Sequence, residues 1–165
     1  MAWNLTDFVR ESNLIEGILR EPTKEEVGAH GAFLWLSEIS IERLQQLVSV
    51  LQPDAKLRTD FGLDVRVGNH VAPPGGPTIK TELQNILAIT NGTVVGDKKA
   101  FEVHVLYETL HPFTDGNGRS GRALWLWIMG GHTPIGFLHH FYYQTLSASH
   151  DFHTRHMRQY PCGWL

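Results

Sequence analysis

His111, Asp115, Arg119 and Arg122 fall within one short run, His-Pro-Phe-Thr-Asp-Gly-Asn-Gly-Arg-Ser-Gly-Arg, together with three glycines. No apolar core needs that mixture, and a plain surface turn has no use for two arginines so spaced. Handling a polyphosphate needs all of it. Successive N–H groups from Gly116 to Gly118, placed at the start of a helix, make an anion site where donors converge and the helix dipole favours negative charge. Arg119 and Arg122 are three apart and share a helix face, and each guanidinium can fork onto phosphate oxygens. Asp115 is placed to hold a Mg²⁺ that bridges two phosphates. His111, with a reference pKa of about 6.5, can take a proton from an attacking hydroxyl at neutral pH. The set describes an in-line transfer from a nucleotide polyphosphate, in which positioning and charge stabilisation supply most of the catalysis.

Two helices must hold this loop. Pro112 disfavours the α conformation at His111, so a helix over 97–110 should stop there and leave the imidazole at its mouth. Its apolar positions (Ala100, Phe101, Val103, Val105, Leu106, Tyr107, Leu110) leave little room for a polar face, which makes it central. His104 within it reads as a hydrogen-bonded core histidine. The next helix should start at about Asn117 or Gly118 and end at Gly130-Gly131. From Ala123 to Met129 it is apolar on all sides and therefore buried.

The remaining elements read as scaffold. Leu5, Phe8, Val9, Leu14, Ile15 and Ile18 recur at helical spacing over residues 3 to about 20. Gly17 there implies close packing or a nearby helix end. Ser12 and Glu16 share one face, and on spacing alone Glu16 is a solvated carboxylate. Thr23 caps a second helix with Glu26 completing a capping box, and Val27, Phe33, Leu34 and Leu36 become buried. A third helix runs from Ser40, with Ile41, Leu44, Leu47, Val48 and Leu51 inward, and stops before Pro53. Leu63, Val65 and Val67 alternate with charged residues, Gly68-Asn69 can turn the chain, and His70-Val71-Ala72 can return. This stretch is a small hairpin or flap, whose edge could pair with an extended partner segment, or an irregular loop between helices. Thr78 caps a helix that ends at Asn91-Gly92, and a last helix starts near Ile135 or Gly136 and runs to about Leu146.

Composition bounds the rest. With 165 residues, 42% apolar and 19% charged, the chain fits one domain of ordinary globular type. A formal net charge of −3 with no basic block argues against a general grip on nucleic acid. The single Cys162 excludes an internal disulfide framework. No secretory signal or membrane-length apolar stretch is apparent, so a soluble, cytoplasmic protein is expected. Among His139, His140, His150, His153 and His156 no pair has the helical i, i+4 metal spacing, and no structural metal site is expected there.

The loop resembles the signature of the Fic family (filamentation induced by cAMP), H-P-F-x-[D/E]-G-N-G-R-x-x-R, with every defined position matched. The resemblance implies a single domain over 1–165 of mainly helical, all-α Fic fold, with a β-hairpin flap at about 60–74. It implies transfer of AMP from ATP to a Ser, Thr or Tyr hydroxyl of a target protein. By position, His111 would be the general base and Asp115 the Mg²⁺ ligand. Gly116, Asn117, Gly118 and Arg119 would form the anion hole, Arg122 would hold the γ-phosphate, and Phe113 would support the loop. The flap would align the target segment. Ser12-Asn13-Leu14-Ile15-Glu16-Gly17 further resembles the family's inhibitory motif, [S/T]-x-x-x-E-[G/N], on a helix at about 10–20. There Glu16 would pair with Arg122 and occupy the fork that the γ-phosphate needs. Removal of AMP, or transfer of another phosphate-containing group, are alternatives for the same site. A nucleotide-binding module without turnover is a third. The oligomeric state, including a homo-oligomer, is left open.

Overall fold

The computed structural model describes residues 4–92 and 97–131. The helix expected near 135–146, the five histidines from His139 to His156, and Cys162 lie outside them. The described residues form α1 (Leu5–Ile15), α2 (Lys24–Leu34), α3 (Ile41–Leu51), β1 (Arg66–Val67), β2 (His70–Val71), α4 (Pro77–Asn91), α5 (Asp97–Leu110) and α6 (Asn117–Ile128). The fold is mainly helical with one small hairpin, as expected.

Helix ends follow local chemistry. Thr23 Oγ1 accepts from Glu26 N at 3.1 Å, and the Glu26 carboxylate accepts from Thr23 N at 2.7 Å, closing the capping box. Ser40 accepts from Arg43 N to start α3. At α4 the structure corrects the expected Thr78 cap: the N-cap is Gly76, Pro77 holds the first helical position, and no side chain caps the end. Proline's fixed φ suits that position and its missing N–H costs nothing there. α1 also stops sooner than expected, at Ile15. Gly17 takes φ +74°, and the N–H groups of Gly17 and Ile18 donate to Leu14 O and Asn13 O, both at 3.0 Å. This is a Schellman ending, which a left-handed glycine terminates without steric cost. It leaves Glu16 as the cap residue, lining the cleft above the 111–122 segment.

The core lies where α6 meets its neighbours. α6 packs against α1, α2, α3 and α5, and α4 backs α5. Phe8 and Val9 from α1, Leu44 from α3, Leu83 from α4, Val103 and Tyr107 from α5, and Leu124 and Leu126 from α6 are buried in one cluster. Each such side chain contributes about 1.5–3 kcal/mol of burial. α5 and α6 approach closely at Gly121, where a Cβ would come within 2.5 Å of Glu108 Oε1. Trp127 Nε1 donates to Leu36 O at 2.8 Å and fastens the loop after α2 to α6. The hairpin is antiparallel, pairing Arg66 with Val71 and Val67 with His70. It is shorter than the alternation over 63–67 implied.

Candidate active site

Loop 111–116 runs from the end of α5 to the start of α6, and its shape is set by its own residues. His111 has φ +50°, a conformation that costs a non-glycine residue about 1–3 kcal/mol and persists only where its surroundings enforce it. Asn117 supplies part of that enforcement. Its Oδ1 accepts from Phe113 N at 2.9 Å and its Nδ2 donates to Phe113 O at 2.8 Å. The Asn117 side chain is thereby committed to the loop, leaving its backbone N–H for an anion. Phe113 is buried in the core and bridges to Leu57. Gly116, at φ +76°, is the N-cap of α6, and no side chain caps that helix. The first-turn N–H groups therefore have no partner within the helix and suit an outside acceptor.

The cleft above this loop has a volume of about 690 Å³ and is lined by His111, Asp115, Gly116 to Arg119, Arg122 and Glu16, with Val65, Val67 and His70 of the flap region on its rim. Every polar residue expected in the site is brought to it, except Ser12, which reaches it through Arg122. His111 Nδ1 donates to Glu108 O at 2.9 Å, so Nε2 carries the lone pair and is the free base. Burial lowers the His111 pKa, with His70 and Arg58 acting in the same direction and the Glu108 carbonyl and Glu16 opposing. The ring is thus held neutral, as a base must be. Asp115 is exposed, and its Oδ1 accepts from Gly116 N at 2.6 Å. No group of three or more His, Cys, Asp or Glu side chains able to hold a metal occurs among the described residues. A lone carboxylate at the edge of an anion site fits a Mg²⁺ that arrives on a nucleotide, bound through one carboxylate and the phosphates.

The two arginines are both occupied. Arg122 is buried: Nη2 lies 2.6 Å from Glu16 Oε1 and donates to Ser12 O at 2.9 Å, while Nε donates to Ser12 Oγ at 2.8 Å. The Glu16 carboxylate also covers the first turn of α6, since a Cβ on Gly118 would run into it. A carboxylate therefore stands where the helix N-terminus would receive a phosphate. Arg119 Nη2 donates to Gln52 Oε1 at 3.0 Å, and Nη1 is 3.8 Å from Glu26 Oε1. Its buried Nε has no acceptor among the described residues.

The model of the Fic/DOC family matches residues 35–129 of this chain, from before α3 to the end of α6. The chain belongs to the Fic/DOC family. It is also 33% identical over 104 residues to the probable protein adenylyltransferase aq_aa38 of Aquifex aeolicus (strain VF5), a span of 62% of this chain and 30% of that protein. The chain thus covers about a third of that relative's length. The family match leaves out α1, so Ser12 and Glu16 lie beyond it.

Four residues in or around the cleft carry contacts that the sequence did not mark. Gln52 and Glu26 hold Arg119 from α3 and α2, and nothing in their local sequence marks them for that role. Glu108 lies beneath His111, three residues earlier in the chain and in the last turn of α5. Arg58 is wholly buried. Its Nε donates to His111 O at 2.6 Å, Nη2 to Leu110 O at 2.8 Å, and Nη1 to Leu63 O at 3.0 Å and Pro73 O at 2.9 Å. It joins the base of the flap to the backbone of Leu110 and His111.

Proposed function

We propose that this Fic domain transfers AMP from ATP to a hydroxyl side chain of a target protein, and that Glu16 restrains it. The observation that carries the reading is the free Nε2 of His111 opening onto the same cleft as an uncapped helix N-terminus and two arginines. His111 Nε2 takes the proton of the target hydroxyl. The hydroxyl oxygen forms the new bond to the α-phosphorus, the bond to the β-phosphate oxygen breaks, and pyrophosphate leaves. The N–H groups of Asn117, Gly118 and Arg119 face the charge that develops on phosphate oxygens. Arg122 serves the γ-phosphate once it is freed from Glu16. Mg²⁺ held on Asp115 would neutralise phosphate charge. The flap edge, Arg66 to Val71, aligns the target segment by strand pairing.

The restraint is competition for one guanidinium. Glu16 and a γ-phosphate both require the Arg122 fork, and the carboxylate is already there at 2.6 Å. The test is incubation with ATP labelled at the α- or the γ-phosphate. Glu16→Gly should raise incorporation of α-label into self or target at least tenfold, His111→Ala should abolish it, and γ-label should not be incorporated. Equal α-labelling by wild type and Glu16→Gly would sink the restraint. Retained γ-label would replace AMP transfer with phosphate transfer.

A further inference from the structure

Glu108 is a buried carboxylate at the floor of the cleft, directly beneath the base. Its Oε2 is 3.7 Å from His111 Nδ1, and its Oε1 has no hydrogen-bond partner among the described residues. Burying a carboxyl whose Oε1 has no hydrogen bond, with His104 Nε2 3.9 Å away, is costly. The groups facing it are His104 from α5, His111 from the loop that follows it, Arg122 from α6 and Glu16 from the end of α1. Tyr107 turns its hydroxyl to Ser120 instead, at 2.8 Å.

We propose that Glu108 is a positioning residue for His111, setting its basicity through the negative charge of the carboxylate below Nδ1. The inference rests on the reading of His111 as general base. The backbone carbonyl of Glu108 fixes the tautomer, and the side chain stabilises the imidazolium. When the target hydroxyl loses its proton to Nε2, the ring becomes a cation. The Nδ1 proton stays on the ring, directed at Glu108 O, and an ionised carboxylate 3.7 Å away favours that cation. No proton passes to Glu108. Burial pushes the Glu108 carboxyl up to about 7, with Arg122 opposing and Glu16 adding to the rise. The support therefore strengthens as pH rises through neutrality, and the two groups titrate as a pair.

The experiment is NMR titration of the His111 imidazole in the full chain, its resonance assigned by its loss in His111→Ala. In the wild type the imidazole should hold its proton to higher pH than in the variant, over a range broadened by the ionisation of Glu108. In Glu108→Gln it should titrate in one step, with its upper end lowered by about one pH unit, at the low end of the effect of an opposite charge at this distance. Superimposable curves overturn the proposal. If Glu108→Gln does not fold, the carboxyl carbon of Glu108 is titrated in wild type and in His111→Ala, where loss of the partner should narrow its curve. Identical curves there overturn it equally. Neither measurement needs turnover, so a chain that transfers no AMP would sink the proposed function and leave this result readable. In an active Glu16→Gly chain, adding Glu108→Gln should lower kcat about tenfold, a fraction of the usual general-base contribution, with little change in KM for ATP. An unchanged kcat also overturns it.

Discussion

Ser12 holds Arg122 as directly as Glu16 does. Its hydroxyl accepts from Nε and its carbonyl from Nη2, both in the interior. Removing the hydroxyl leaves Glu16 in place but takes one hydrogen bond from a buried cation, worth about 1.5–3 kcal/mol for a charged donor and less where the rest of the grip persists. A loss of about 1 kcal/mol corresponds to about a fivefold larger released population. On the proposed function, Ser12→Ala should raise AMP incorporation about fivefold, less than Glu16→Gly, as read by α-labelled ATP. No rise would mean that Ser12 shapes the helix end without restraining the site. The sequence made the loop legible at this scale because its polar members are contiguous. Glu16 is different: spacing alone made it a solvated carboxylate, and only the resemblance of its motif pointed to Arg122. Gln52 and Glu26 stayed unread because their contacts with Arg119 exist only once α2 and α3 pack on α6.

At the scale of elements, Arg58 explains what periodicity could not. The alternation of Leu63, Val65 and Val67 foretold a longer strand than the two residues that form. The carbonyls of Leu63 and Pro73, one on each side of the hairpin, are taken by the Arg58 fork instead of by a ladder. A single buried arginine in a loop segment carries no period, so nothing marked it in advance. Arg58→Ala should strip four carbonyl bonds and destabilise the fold by about 3 kcal/mol or more, lowering the denaturant midpoint. Arg58→Lys should recover little of this, because an ammonium cannot match the planar fork. Near-wild-type midpoints for both would remove Arg58 from its role. The helices themselves were legible, α5 to the residue, because their apolar faces and caps are local signals. Where these failed, as at Thr78, Pro77 offered a competing first helical position two residues before the one a Thr78 cap implies.

For the molecule as a whole, two buried carboxyls bend stability in opposite directions with pH. The Arg20 guanidinium, with the Thr23 N–H and Asn13 assisting, holds Glu26 down to about 2 from its usual 4.5. That contribution is present above pH 4.5 and is lost as pH falls toward 2. Glu108, raised to about 7 by burial, binds more protons folded than unfolded between pH 4.5 and 7. Its contribution is therefore present below 4.5 and is lost as pH rises through 7. Urea midpoints measured from pH 2 to 8 should show Glu26→Gln removing the rise at the acid end. Glu108→Gln should remove the decline toward neutrality. Parallel curves for wild type and either variant would refute the corresponding assignment.

Phe8 and Val9 are fully buried in the same core as α6, so the helix that delivers Glu16 is no detachable arm. On the proposed function the inhibitor and the site it blocks are always present one to one, at an effective concentration set by the fold and not by the amount of protein. Dilution cannot relieve such a block, and shortage of a partner chain cannot leave it unfilled. On the same reading, release asks only that the half-exposed Glu16 side chain turn away, with α1 staying where it is. The switch is thus a matter of one side chain's position, and its setting is inherited by every copy as it folds.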